Sequence, residues 1–257
     1  MTDPIIDMTD AAVSYREHVA LEGVSMRVHR GEFVGVIGPN GAGKTTLLTV
    51  VNGLGRLARG SVRVLGLDPF NGSGHLVRRR VAYVAQVERL DPRLPISVRE
   101  TVQVGLCGRV GWFRRPSRAD RDRVDEALDW VGAAHLAERP IGHLSGGEYQ
   151  RVAIARALVQ DPDIYLFDEP TASIDPKAQR EILALIQRVH AQRKTTVFQV
   201  THDLGALAER CQRLVLMKQG HVWRDGPREA LFRPALLRDL YDGELAAHAR
   251  AWGALCG

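Results

Sequence analysis

The chain has 257 residues, of which 45% are hydrophobic and 25% are charged, and its formal net charge is +5 at pH 7. This composition is typical of a globular protein with a substantial core. It argues against a membrane-spanning protein, because no apolar run approaches the roughly 18 residues that a helical span requires. The N-terminus lacks the pattern of a secretory signal, and the three cysteines are scattered. We therefore expect a cytosolic protein.

The positive charge is concentrated in two patches, residues 78–80 and residues 114–123. A nucleic-acid surface combines such patches with aromatic side chains on which bases stack. Trp112 and Phe113 are the only aromatic residues close to a basic patch, so nucleic acid is not expected as a partner. The patches indicate instead a solvated face or a surface near anionic lipid.

The first ninety residues predict mainly strands. Residues 5–15 mix apolar and polar side chains and predict an edge strand, while residues 24–28 alternate as a half-buried strand. The apolar run Phe33–Ile37 predicts a buried strand. Residues 60–64 and 81–84 predict two further strands.

Residues 97–159 change to a helical pattern. Ser117 followed by Asp120 predicts a capping box at a helix start. The helix that follows has an apolar stripe at helical spacing, formed by Val124, Ala127, Leu128 and Val131. Residues 105–116, which are rich in Gly and Arg, predict a loop.

Strands and helices alternate after residue 162. Residues 164–167 and 196–200 predict strands, and residues 177–190 between them predict a helix. Another helix and two short strands follow, with a hairpin turn predicted at Gln219 and Gly220. Such alternation indicates an α/β fold whose mostly parallel sheet carries helices on its faces.

The most informative stretch directly follows the strand Phe33–Ile37 and opens a helical pattern. It fits G-x-x-x-x-G-K-[ST] with the residues Gly38, Pro39, Asn40, Gly41, Ala42, Gly43, Lys44, Thr45 and Thr46. The glycines let backbone N–H groups point at an anion, and the helix dipole adds its positive end. Lys44 can reach the β- and γ-phosphates, and the Thr45 hydroxyl can ligate Mg²⁺. The flanking strand and helix disfavour an ordinary glycine-rich turn, so we expect the chain to bind a nucleoside triphosphate.

Two adjacent carboxylates follow the predicted strand at residues 164–167. Ligands gather at the carboxyl ends of parallel strands. Asp168 is therefore expected to hold Mg²⁺ or its water, and Glu169 to deprotonate the water that attacks the γ-phosphate. Alone, such a pair would as often belong to a surface turn. Together with the loop at Gly38, it forms the second half of a phosphate site.

Two further features are less specific. The segment Ser145-Gly146-Gly147-Glu148 precedes a helix and offers hydroxyl and backbone donors to an anion, although a plain N-cap is favoured in isolation. His202 follows a predicted strand at the same sheet edge as Asp168. A lone histidine there is usually structural.

In this order, these motifs resemble those of an ATP-binding cassette (ABC) ATPase. The resemblance covers nearly the whole chain, from Tyr15 to about Trp223. It implies a P-loop NTPase core with an antiparallel β edge and an inserted helical subdomain. It also implies one domain over residues 1–257, with the nucleotide-binding core at 1–90 and 158–257 and the helical subdomain at about 91–157.

The same resemblance implies roles for individual residues toward ATP and Mg²⁺. Tyr15 matches the aromatic side chain that stacks on adenine. Gln86 matches the glutamine that contacts Mg²⁺ and the attacking water and links the site to a membrane subunit. His202 would hold the γ-phosphate and the geometry around Glu169. The loop of residues 173–175, which ends in Asp175, matches the segment that touches a second copy.

Two such chains are expected to pair head to tail. Ser145 and Gly147 of one copy would then cap the γ-phosphate held by Lys44 of the other. The motif departs from the family at Glu148, where glutamine is usual. The change adds negative charge near phosphate, and we expect it to be tolerated because the residue lies at the margin of the anion site.

The function implied by the resemblance is ATP hydrolysis that drives a membrane transporter. Separate permease subunits would form the pore, and an extracytoplasmic substrate-binding protein would act through them. Residues 108–128 and 236–241 are similar to cassettes of bacterial importers of metal ions (zinc or manganese) or metal chelates. The chain would lie on the cytoplasmic face of the cell membrane, with Leu90 and Leu94 exposed for docking.

Two other functions are weighed against this one. A soluble cassette ATPase, for instance one that acts in cofactor assembly, would carry the same motifs without a membrane partner. Cassettes of repair or translation are disfavoured, because the chain has neither a long coiled-coil insertion nor a second cassette. A nucleotide-binding regulator without turnover conflicts with the presence of Glu169 and His202.

Overall fold

The computed structural model describes residues 3–15, 18–86, 91, 93–111 and 115–241. The strands in chain order are β1 (Ile6–Tyr15), β2 (His18–Val28), β3 (Phe33–Ile37), β4 (Leu57–Val64), β5 (Val81–Val84), β6 (Ile164–Asp168), β7 (Thr196–Thr201), β8 (Arg213–Lys218) and β9 (His221–Pro227). The helices are α1 (Lys44–Val51), α2 (Gly74–Arg80), α3 (Val98–Val104), α4 (Cys107–Val110), α5 (Arg118–Trp130), α6 (Gly146–Gln160), α7 (Pro176–Arg193), α8 (Arg228–Leu231) and α9 (Pro234–Leu240). Short 3₁₀ turns cover Ala134–Leu136, Ile141–His143 and Leu204–Ala206.

The smaller of two sheets has the strand order β2-β1-β4, with both pairs antiparallel. β1 is therefore its central strand, and the prediction of an edge strand at residues 5–15 is wrong. The register of β1 shifts against both neighbours, so the strand lacks the regular alternation that marks a paired strand in a sequence.

The larger sheet has the order β5-β6-β7-β3-β8-β9. Its first five strands are parallel, and β9 runs antiparallel to β8 at one edge. Every residue of β3 and β6 is buried. Their apolar runs follow from this position, because inner strands of a parallel sheet are covered on both faces. The predicted α/β fold, with a mostly parallel sheet and antiparallel strands beside it, is confirmed.

The hairpin between β8 and β9 has the turn that the sequence predicts. Gln219 and Gly220 both have positive φ, at 51° and 81°. Two left-handed residues in a two-residue loop form the turn type whose twist matches a hairpin. The predicted turn is therefore confirmed.

Alternate residues of the larger sheet face two different cores. Phe33 and Phe167 lie in a core shared with α5, α6 and α7, whereas Val34 and Leu166 lie in a core shared with α1 and the smaller sheet. This is the two-residue period of a strand covered on both sides. The sheet is thus a middle layer that fixes the loops at its carboxyl edge.

Helices α3, α5 and α6 pack on one another in the chain between β5 and β6. The capping box of Ser117 and Asp120 is confirmed, and so is the burial of the apolar stripe of α5. The prediction of a loop over residues 105–116 is wrong at residues 107–110, which form helix α4. Gly105 does not break the structure here: a Cβ at this position would lie 2.2 Å from the Arg156 carbonyl oxygen, so glycine lets the end of α3 approach α6 closely.

Trp112 and Phe113, considered above as stacking residues, lie outside the described residues. The division of the chain at residues 90 and 158 stays a prediction. Within the part of the chain that the structure describes, none of the helices combines the length and hydropathy needed to cross a bilayer.

Candidate active site

The carboxyl ends of β3, β6 and β7 lie side by side, because these three strands are parallel neighbours in the larger sheet. The loops that leave them border a cleft of about 560 Å³. This is the size of a small-molecule site. Its lining residues are Tyr15, Ala20, Asn40, Gly41, Ala42, Gly43, Lys44, Thr45, Thr46, Gln86, Glu169 and His202.

The glycine-rich loop between β3 and α1 depends on two glycines that other residues could not replace without displacing neighbours. A Cβ on Gly38 would lie 2.2 Å from the Met217 carbonyl oxygen. Gly43 has φ +93°, and a Cβ there would lie 2.5 Å from the Ala20 carbonyl oxygen. Gly43 is also the N-cap residue of α1, so the loop runs directly into a helix whose first N–H groups are available to an anion.

Lys44 is the first residue of α1 and is only 6% exposed. Its Nζ donates hydrogen bonds to the carbonyl oxygens of Gly38 (2.8 Å) and Pro39 (2.9 Å), so the ammonium group lies inside the loop. Burial lowers the pKa of Lys44, and the nearby carboxylates of Glu169 and Asp168 act in the opposite direction. The loop thus holds a positive charge next to two negative ones, at the place where phosphates would bind.

Asp168 is the last residue of β6 and is 4% exposed. The Tyr83 hydroxyl donates a hydrogen bond to its Oδ2 at 2.8 Å. Burial raises the pKa of Asp168, and the hydroxyl groups of Tyr83 and Thr45 act against this rise. Oδ1 is buried and has no hydrogen-bond partner among the residues described.

These groups fit Mg²⁺. A carboxylate oxygen and a threonine hydroxyl are hard oxygen donors, and Mg²⁺ typically takes one or two carboxylates together with phosphate oxygens and water. In the described part of the chain, three or more His, Cys, Asp or Glu side chains nowhere form a group that would hold a metal by themselves. A cation at Asp168 would therefore need further ligands that are not protein carboxylates. The phosphate oxygens of a bound nucleotide would supply them.

Glu169 has the left-handed φ of +46°, which is uncommon for a residue other than glycine. Its backbone N–H donates to the Val200 carbonyl oxygen at 3.0 Å, which fixes the turn after β6 against β7. The side chain is 14% exposed, and its Oε1 lies 2.9 Å from Nδ1 of His202, the residue after β7. The strained turn brings a carboxylate and an imidazole together in one cleft, an arrangement suited to proton transfer from a bound water.

The segment of residues 145–148 lies outside the lining of this cleft. Ser145 is the N-cap of α6, and its N–H and hydroxyl both donate to Oε2 of Glu148 at 2.8 Å. Glu148 also pairs with Arg139 at 3.5 Å, and the Ser145 N–H and hydroxyl together lower its pKa, the N–H contributing most. Glutamate and glutamine serve equally as the third residue of a capping box. The departure from the family pattern therefore leaves the helix start intact.

Gly146 and Gly147 bring α6 against the start of α7. A Cβ on Gly146 would lie 2.8 Å from Cγ2 of Ile174, and a Cβ on Gly147 would lie 2.8 Å from Cβ of Ala178. Asp175 is the N-cap of α7, and its Oδ1 accepts hydrogen bonds from the N–H groups of Lys177 and Ala178 at 3.0 Å. These bonds lower the pKa of Asp175. Like Ser145, Asp175 lies outside the lining of the cleft.

Tyr15 and Gln86 stand at the rim of the cleft and are exposed. Sequence reasoning missed Ala20 in the lining and Tyr83 behind Asp168, since neither position belongs to a motif. Leu94, predicted as exposed, is half-buried because it packs against the core, so that prediction is wrong. Leu90 lies outside the described residues.

A family model described as "ABC transporter" matches residues 21–172. The chain belongs to the ABC transporter family. As a member of this family it is an ATP-binding cassette and an ATPase, as the resemblance of its motifs implied. The matched range holds the glycine-rich loop, the segment at Ser145 and the carboxylates of Asp168 and Glu169.

Relatives of the cassette extend over nearly its whole length. The zinc transport system ATP-binding protein TroB of Treponema pallidum is 38% identical over 94% of this chain and 88% of the relative. The manganese transport system ATP-binding protein MntB of Bacillus subtilis is 36% identical over 93% of each chain. Relatives named for phosphonates import reach similar identities.

A solved structure has the same fold. The dimeric post-hydrolysis state of the ATP-binding cassette MJ0796, bound to ADP and Pi, is 30% identical to this chain, with a TM-score of 0.76. The match covers 86% of this chain and 98% of that one.

Proposed function

We propose that this cassette is the energy-coupling subunit of a membrane transporter that imports metal ions or metal chelates. One observation carries the catalytic part of the proposal: the glycine-rich loop with Lys44 borders the same cleft as Glu169 and His202. A phosphate-binding loop that faces a residue able to orient or deprotonate water is a recurring arrangement for nucleotide hydrolysis.

ATP would bind with its phosphates on the loop of residues 38–46 and its adenine near Tyr15. The loop N–H groups and Lys44 would hold the β- and γ-phosphates by charge-assisted hydrogen bonds. Glu169 would take the proton of the attacking water, and His202 would fix the carboxylate at the γ-phosphate. Mg²⁺ would be held by Thr45, Asp168 and Gln86, and would supply neutralisation of phosphate charge.

A second copy of the chain would complete the site. Ser145, Gly146, Gly147 and Glu148 lie outside the cleft of their own chain, as does Asp175. Placed head to tail, the segment at Ser145 of one copy would cap the γ-phosphate in the cleft of the other. The dimeric structure of the MJ0796 cassette supports the pairing of two cassettes.

The membrane partners would be separate permease subunits, together with an extracytoplasmic substrate-binding protein that acts through them. The cassette would then sit at the cytoplasmic face of the membrane. Metal as the cargo is supported by the names of the zinc and manganese relatives. A soluble cassette ATPase is the alternative.

The test is co-purification followed by transport. Tagged cassette is isolated from its native membranes, the co-purifying membrane protein is identified, and both are reconstituted in vesicles with radioactive zinc or manganese. We expect ATP-dependent movement of one of these metals, and none with the Glu169→Gln variant, which should still associate with the membrane. A cassette that stays in the soluble fraction when the partner is co-expressed would contradict the proposal and favour the alternative.

A further inference from the structure

Helix α9, the last helix among the described residues, is firmly packed on the body of the cassette. Leu237 and Leu240 are completely buried, and Tyr241, which directly follows the helix, is 8% exposed. On the outer side, Nζ of Lys218 at the end of β8 donates a hydrogen bond to the Asp239 carbonyl oxygen at 2.9 Å. Tyr241 therefore has a defined position.

The Tyr241 hydroxyl donates a hydrogen bond of 2.9 Å to the carbonyl oxygen of His202. Burial raises the pKa of this phenol, which keeps its proton available for donation. The carbonyl group and the imidazole of His202 branch from the same Cα. A bond that fixes this peptide group therefore restricts the direction in which the imidazole can point.

Two sets of hydrogen bonds hold the loop that carries His202: bonds within the loop and a bond from Tyr241. On the side of the following residue, the Asp203 N–H donates to Oγ1 of Thr201 at 3.0 Å, and Oγ1 of Thr201 donates to the Asp203 carbonyl oxygen at 3.1 Å. These bonds lie within the loop itself. The bond from Tyr241 ties the same loop to an element 39 residues away in sequence.

We propose that Tyr241 is a positioning residue for hydrolysis: its hydroxyl holds the backbone of His202 so that the imidazole stays 2.9 Å from Oε1 of Glu169. The inference rests on the proposed role of His202 in ATP turnover. The ring of Tyr241 fills the core as phenylalanine would. Its hydroxyl couples the end of α9 to the loop that carries His202.

Tyr241→Phe isolates this role, because it removes the hydroxyl and keeps the ring. A net contribution typical of one hydrogen bond corresponds to a loss of about three- to tenfold in kcat. Tyr241 lies outside the lining of the cleft, so the ATP concentration at half-maximal rate should change less than about twofold.

Tyr165→Phe is the matched control. Tyr165 is buried like Tyr241, and its hydroxyl has no hydrogen-bond partner among the described residues. This variant should retain the wild-type kcat. Both variants are assayed at a temperature at which circular dichroism shows them fully folded. Equal losses in the two variants would overturn the proposal, because the effect would then be a general cost of removing a buried phenol.

The decisive step is a double-mutant cycle with His202→Ala, in which residual single-turnover hydrolysis is followed with labelled ATP. If Tyr241 acts through His202, Tyr241→Phe should cause no further loss once His202 is removed. A loss as large as in the wild-type background would overturn the proposal, as would an unchanged kcat in the single variant. Failure of the wild-type protein to hydrolyse ATP would instead reject the proposed function, which keeps the two outcomes distinct.

Discussion

The two regions of this cassette that we propose to bind phosphate differ in how their polar groups are used within one chain. The loop region, defined as residues 38–46 with Asp168 and Glu169, borders an open cleft that is lined by Lys44, Thr45 and Glu169 among others. In the segment of residues 145–148, the hydroxyl and N–H of Ser145 are bonded to Glu148, and Gly146 and Gly147 pack against α7. The first region is therefore suited to bind nucleotide alone, whereas the second would act only when a second copy presents a phosphate to it.

The largest expected effect is the loss of ATP hydrolysis when Glu169, in the loop region, is replaced. Glu169→Gln should keep ATP binding but reduce hydrolysis by about 10²–10⁴-fold, because an amide cannot accept the proton of the water. We also expect the variant to accumulate as an ATP-bound dimer, since the step that reopens it is blocked. Size-exclusion chromatography with ATP and Mg²⁺ measures this. Near-wild-type turnover would exclude Glu169 as the base.

Lys44→Ala should weaken ATP binding by more than about tenfold, because it removes a buried charge that would contact phosphates at roughly 1.5–3 kcal/mol per charge-assisted bond. Calorimetric titration of the isolated chain gives the affinity. As the control, Lys177→Ala removes a lysine of α7 that lies outside the cleft lining and should bind ATP normally. An unchanged affinity in Lys44→Ala would remove the basis for assigning this cleft to nucleotide.

Tyr83→Phe tests whether a hydrogen bond within the same chain orients Asp168 for Mg²⁺. The variant removes the hydrogen bond to Oδ2 of Asp168, whose other oxygen is left for a cation. Loss of such a supporting bond typically weakens metal binding about tenfold. The measurement is the Mg²⁺ dependence of ATP affinity, with Mg²⁺-free binding as the reference. An identical Mg²⁺ dependence in the variant would mean that Tyr83 does not orient Asp168.

The smallest effect is expected in the segment at Ser145. Glu148→Gln keeps an oxygen that can accept the two hydrogen bonds from Ser145 but removes a negative charge close to an approaching phosphate. ATP-dependent dimerisation should strengthen by about two- to fivefold, the scale of an exposed charge interaction. Analytical ultracentrifugation with the Glu169→Gln background measures it. Weaker dimerisation would show that Glu148 contributes through its charge or through its pair with Arg139.

The parts of the site that the sequence predicts are those built from neighbours along the chain. The glycine-rich loop and the carboxylates at the end of β6 both depend on residues a few positions apart, as does the capping box at Ser117 elsewhere in the fold. Tyr83 and Tyr241 could not be found in this way. Their partners lie 85 and 39 residues away, and they meet only because of the strand order and the docking of α9.

The difference between contacts that are local and contacts that are distant in sequence also explains the wrong predictions about the fold. The mixture of apolar and polar residues at 5–15 predicts an edge strand, but β1 pairs on both sides, and its register shifts account for the irregular pattern. α4 was expected as a loop because glycine usually marks flexibility, whereas Gly105 permits a close helix contact. In both regions the deciding interaction comes from a distant part of the chain.

The central claim is that hydrolysis needs the loop region of one copy and the Ser145 segment of another. The most direct measurement is the specific ATPase activity of the wild-type isolated cassette over a wide dilution series at saturating ATP and Mg²⁺. Ser145→Arg, which should bind ATP as a monomer yet not hydrolyse it, provides the baseline. The account predicts that specific activity falls in proportion to concentration once the dimer dissociates. Specific activity that stays constant far below the concentration at which sedimentation shows only monomers would contradict it.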